Sequence, residues 1–322
     1  MCLKKFILRY SHVFLITLTC AVLHGQGNNR QSSNSNLNIK NDLFDANALM
    51  QRVKFLSLDS LEGRKTGEYG NLIARNYIIE LFKKHDIEPY SNNYLQPFSF
   101  KTRRDSKTYQ AANILGLIRG SKSPEKYIVI SAHYDHVGII NGAIYNGADD
   151  DASGVSALFA LIEYLNKNPL KYSVIIAAFD AEELGLKGAQ HFLKSFPQAK
   201  ENILLNINLD MISRNDDNQL FVVGTNLYKG LKPLINDLKL PENFYLMSGH
   251  DGTDKKQNWT YSSDHGIFHK SNIPFLYFGV EDHEDYHKPT DDYENIQKEF
   301  YTKAVMTIIS VIERINYSLF YN

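Results

Sequence analysis

Apolar residues recur along the chain at two spacings, and each change of spacing marks a new element. Residues 127–132, 172–179 and 203–209 are runs rich in β-branched and aliphatic side chains, the pattern of strands covered on both faces. Between them, 153–165 and 186–196 carry apolar positions at helical spacing. Val155, Leu158, Phe159 and Ile162 share one face of the first, and Pro197 stops the second. Upstream, helices are predicted over 46–56 and 71–84, and 94–100 and 111–118 read as strands joined by a polar turn. Gly63, Gly67 and Gly70 mark the segment between those two helices as a loop. Downstream, short strands are expected over 220–223, 244–247 and 275–278, and helices around 228–238 and 264–270. A long amphipathic helix is expected over 296–315. Strand alternating with helix predicts one α/β domain over 41–322, a mixed, mostly parallel central β-sheet with helices on both faces.

The N-terminal stretch follows another pattern. Lys4, Lys5 and Arg9 precede an apolar run over 13–23 that is too short to span a bilayer comfortably, and Gly25 and Gly27 follow it. Residues 1–27 therefore read as a secretory signal peptide, and the Asn/Ser-rich 28–40 as a disordered linker. The alternatives are an uncleaved anchor and a lipid on Cys20, which has Thr19 before it where a small residue is usual. Export to a bacterial periplasm or the exterior is expected, with no stable membrane span in the mature chain. Both cysteines, Cys2 and Cys20, fall inside the signal. The mature chain then has no disulfide, no thiolate metal site and no cysteine nucleophile. A hydrophobic content of 43% over 322 residues is enough for a core without cross-links. The net charge of -1 gives no electrostatic case for nucleic acid or an anionic membrane.

Each buried strand runs into acids or imidazoles. The first leads into His133, Asp135 and His136, followed by a loop holding Asp149, Asp150 and Asp151. The second leads into Asp180, Glu182 and Glu183, the third into Asp210, and His283 and His287 follow the last strand. Singly, each has an ordinary explanation: a hydrogen-bonded histidine, a helix cap at Asp151 or Ser153, acids at a helix N-terminus. Together they gather at the C-terminal edge of one sheet, where sites form in open α/β folds. Uncompensated, the carboxylates would repel one another, so divalent metal held by N and O ligands is expected.

The segments A-H-Y-D-H, G-A-D-D-D-A-S-G, F-D-A-E-E-L-G-L-K-G, N-L-D-M-I-S-R and S-D-H…D-Y-H-K-P-T-D stand in this order. With that spacing the chain resembles the co-catalytic zinc aminopeptidases of the M28 peptidase group, from about residue 58 to 315. The resemblance implies a zinc-exopeptidase fold and two Zn²⁺ ions. His133 and Asp210 would hold one, Glu183 and His287 the other, and Asp149 would bridge them. It implies that Glu182 is the general base for a metal-bridged hydroxide, that Asp135 orients His133, and that Asp150 shapes the loop through a cis Asp149–Asp150 peptide. Tyr286 would hydrogen-bond the oxyanion and Asp264 would support the site. His136, His269 and His283 read as structural or solvent-facing. The implied activity is removal of N-terminal residues from peptides with a free N-terminus. The sequence does not fix the oligomeric state, and a monomer is the simplest expectation. Two alternatives are a carboxypeptidase-like member, for which Arg214 is the candidate carboxylate grip, and a single-zinc glutaminyl cyclase-like enzyme. Pocket walls are expected from 211–263, which carry no readable specificity code.

Overall fold

A computed structural model describes residues 43–90, 92–102 and 105–318. The signal peptide and linker expected over 1–40 lie outside the described residues. In chain order the elements are α1 (Ala46–Leu56), α2 (Tyr69–Lys84), β1 (Glu88–Pro89), β2 (Leu95–Lys101), β3 (Thr108–Ile118), β4 (Ser123–His133), β5 (Gly138–Ile140) and β6 (Ala143–Tyr145). Then come α3 (Gly154–Lys167), β7 (Tyr172–Phe179), α4 (Lys187–Lys194), β8 (Ile203–Leu209), β9 (Gln219–Val223), α5 (Lys232–Ile235), β10 (Tyr245–Ser248), α6 (His265–Lys270), β11 (Phe275–Gly279) and α7 (Lys298–Ser318).

Among the described residues, nine strands form one mixed sheet in the order β1-β3-β7-β4-β8-β11-β9-β10, with β2 also paired to β3. Its centre is parallel: β4 lies between β7 and β8, and β8 pairs with β11. The flanks are antiparallel, β3 against β7 and β9 against β11. The side-chain period of two explains why the central strands are apolar throughout. On β7, Val174, Ile176 and Ala178 join the core formed with α1, α2, α3 and α7, while Ile175, Ala177 and Phe179 face α4 and α6. Asp45 caps α1 by accepting the N–H groups of Asn47 and Ala48 at 2.9 and 3.0 Å. Helix α3 is buried on every side from Gly154 to Ile162, which its nearly unbroken apolar sequence requires.

One expectation is corrected and one element is added. The helix expected around 228–238 shrinks to a 3-10 turn followed by the single turn α5, because Pro233 fits only a first turn and Asp237 turns left-handed. Between β4 and α3 lies the hairpin β5–β6, closed by Asn141-Gly142 with both φ positive. That dipeptide was a legible hairpin signal in the sequence.

Candidate metal centre

The C-terminal ends of β4, β7 and β8 deliver His133, the Glu182–Glu183 pair and Asp210 to one edge of the sheet. The 149–151 loop and the segment after β11 close over them. Ala181, Met211 and His287 all take left-handed φ beside or at these residues. Non-glycine residues seldom adopt that conformation, and it clusters at functional sites.

The acidic loop has a different register from the one expected. Asp150 is the carboxylate at the centre: Oδ1 stands 3.3 Å from His133 Nε2 and Oδ2 stands 3.1 Å from His287 Nε2. Asp210 Oδ1 lies 3.6 Å from His133 Nε2, and Glu183 Oε1 lies 3.4 Å from His287 Nε2. Asp149 is turned away. One of its oxygens accepts the Ser213 N–H and hydroxyl at 2.8 and 2.6 Å, and the other faces His283 Nε2 at 3.0 Å. The shared central position therefore passes from Asp149 to Asp150, and the cis peptide is Asp150–Asp151 rather than Asp149–Asp150. Asp151 accepts the N–H groups of His133, Gly154 and Met211 at 3.1, 2.9 and 3.3 Å, tying the loop to β4, α3 and the end of β8.

Asp135 meets the His133 ring through its backbone carbonyl, 3.1 Å from Nδ1, and its carboxylate Oδ1 stands 3.9 Å from the same nitrogen. The carboxylate accepts the N–H groups of Glu182 and Glu183 at 3.0 and 3.3 Å, fixing the turn that presents both glutamates. Asp180 takes no part in the cluster. It is a buried hub accepting from Thr66, Asn71, Tyr134 and the Ala112 N–H. His136, expected to be structural or solvent-facing, is buried with Nδ1 2.9 Å from Glu183 Oε1. His269 meets the Tyr228 hydroxyl at 2.7 Å, away from the cluster, and Asp264 is buried with neither carboxylate oxygen hydrogen-bonded.

Sequence reasoning also passed over Arg64. It is fully buried and donates to the carbonyls of Leu56, Tyr134, Asn146, Gly147 and Asp150. Gly147 must be glycine: φ is +57°, and a Cβ would stand 2.0 Å from the Asp150 carbonyl and 2.6 Å from the His136 ring.

Burial, repulsion between carboxylates and pairing of carboxylates with imidazoles shift the proton affinities of the cluster. Burial, followed by Asp264, Asp210 and Glu183, holds the Glu182 carboxyl well above the usual range, although His133 acts against it. Glu183 is lowered to about 2: burial and Asp150 would raise it, but contacts with His136 and His287 prevail. Contacts with Asp150 and Glu183 raise His287 to about 10. Burial pushes Asp264 up to about 7.

The donors fit divalent metal. Imidazole nitrogens and carboxylate oxygens of His133, Asp151 and Asp210 converge within 4.8 Å, as do those of His136, Asp150 and Glu183. His136 and Glu183 Oε1 are buried without a partner in hydrogen-bond geometry, which a bound cation would remedy. A cleft of about 410 Å³ opens over the cluster, lined also by Leu186, Trp259, Tyr261, Tyr277 and Tyr286. Three of those five lie outside 211–263, the stretch expected to form its walls.

The comparisons with known proteins agree with this chemistry. The model of peptidase family M28 matches residues 113–312. Aminopeptidase YwaD of Bacillus subtilis is 30% identical over 201 residues, 58% of this chain and 41% of that protein, so the match spans less than half of the relative. A Zn-dependent exopeptidase from Parabacteroides distasonis superposes with TM-score 0.66 at 19% identity, over 84% of this chain and 98% of that one. A glutaminyl cyclase from Porphyromonas gingivalis superposes with TM-score 0.67 at 16% identity, over 85% and 99%. The two superpositions share the fold found here.

Proposed function

We propose, from the premise that this chain belongs to peptidase family M28, that it is a metal-dependent aminopeptidase removing residues from the free N-terminus of peptides. The observation that carries the reading is Asp150, with one oxygen facing His133 and the other facing His287. His133, Asp150 and Asp210 would hold one divalent ion, and Asp150, Glu183 and His287 a second, with zinc the metal implied by the family. Such a pair, when bound, supplies Lewis-acid polarisation of a scissile carbonyl and makes a water more acidic.

The chain's own groups account for the remaining steps. Glu182 lines the cleft beside these ligands, where it would take a proton from the attacking water and pass it to the departing amine. Burial raises the Tyr286 hydroxyl above its ordinary value, keeping it a donor toward the developing oxyanion. Its ring stacks on His287, with centroids 4.0 Å apart. Among the described residues no lysine or arginine lines the cleft, so no side-chain cation there is available to grip a substrate carboxylate. Arg214, the grip a carboxypeptidase would need, is paired with Asp285. The relative named an aminopeptidase supports the same choice.

The test is an aminoacyl-amide assay on wild type and Glu182→Ala with metal content measured in parallel. Activity should fall about 10²–10⁴-fold with metal content unchanged, and full activity in the variant would remove Glu182 from the chemistry. Conversion of N-terminal glutamine peptides without release of an amino acid would identify a cyclase instead. Export and a monomeric state are part of the same proposal. No helix among the described residues is long and apolar enough to cross a membrane.

A further inference from the structure

His136 is the one histidine of the cluster that the ligand set above leaves without a task. Its side chain is buried, and neither ring nitrogen meets a partner in hydrogen-bond geometry. Nδ1 nevertheless stands 2.9 Å from Glu183 Oε1 and 3.8 Å from Asp150 Oδ2. Those same two oxygens lie 3.4 and 3.1 Å from His287 Nε2. Two imidazoles therefore address one pair of carboxylate oxygens, and their rings are 5.8 Å apart, centroid to centroid. Glu183 Oε1 is itself buried without a hydrogen bond. A buried imidazole and carboxylate oxygen that face each other closely without hydrogen-bond geometry form an arrangement that a cation held by both resolves. The ring cannot readily withdraw, since the Gly147 backbone packs against it so closely that a Cβ there would sit 2.6 Å from Cδ2.

We infer that His136 is a fourth protein ligand of the second metal position, beside Asp150, Glu183 and His287. This rests on the metal-dependent reading above. The two positions are then unequal. The second has four protein donors, two of them imidazoles, and fills first, whereas the first has three donors and one imidazole. Four protein donors are the mark of a retained ion, and three leave a place open for water.

The test starts from the full chain stripped of metal and titrated calorimetrically with Zn²⁺. Wild type should show two binding steps, and His136→Ala should lose more than about 100-fold in the tighter step only. A loss of about 10–100-fold is what removing a hydrogen-bond partner of a ligand costs, so a loss in that range or none overturns the assignment. X-ray absorption on wild type loaded with one Zn²⁺ per chain gives an answer that does not depend on how the variant folds. Two imidazoles in the zinc shell support the inference, and one overturns it. If wild type takes up no divalent ion at all, the reading of the whole site fails with it, whereas two equal sites in wild type overturn this inference and leave that reading standing.

Discussion

Asp264 shows how strongly burial acts on single residues here. Neither of its carboxylate oxygens has a hydrogen-bond partner, and burial pushes the carboxyl to about 7. The folded chain then keeps this proton up to about pH 7, whereas the unfolded chain loses it near the ordinary carboxylate value of about 3.9. Between those values the folded state binds more protons, so this group's contribution to stability falls as pH rises through the window. In the metal-free protein, Asp264→Asn should therefore raise the melting temperature more at pH 8 than at pH 5, and an equal change at both would contradict the assignment. Residue-scale roles were only partly legible in the sequence. Three adjacent aspartates look alike on paper, and they are sorted by contacts with distant residues: Ser213 and His283 take Asp149, while His133 and His287 face Asp150. Asp135 had the same ambiguity, because its carbonyl and carboxylate serve different neighbours.

At the scale of elements, the short 3-10 segment Asp59–Arg64 matters more than its loop-like composition suggested. Through Arg64 it joins the end of α1, the strand end at Tyr134 and the acidic loop, and it sets a cation near Asp150, Asp291, Asp151 and Asp135. Replacing it leaves several buried carbonyls without a donor, each costing about 1–3 kcal/mol. Arg64→Leu should lower stability by more than about 3 kcal/mol in urea unfolding, and a loss under about 1 kcal/mol would show that the loop is held by other means. The sequence read well wherever periodicity carried the signal. Strands β7 and β8 and helix α1 have the limits expected from spacing alone. It read poorly where tertiary contacts decide, as in Arg64, whose importance comes from carbonyls up to 86 residues away.

At the scale of the molecule, the parallel order β7-β4-β8-β11 aligns the C-terminal ends of the central strands, and that alignment turns scattered acids into a site. The fold class and the edge bearing the site follow from the pattern of strands and helices. The inward register of the acidic loop does not, and it determines which carboxylate is shared. Asp150 is proposed to join two divalent ions at that edge, and metal stoichiometry after equilibrium dialysis against Zn²⁺ tests this. Wild type and Asp149→Ala should each hold two ions per chain, and Asp150→Ala fewer than two. Two ions in Asp150→Ala with loss in Asp149→Ala would contradict the account.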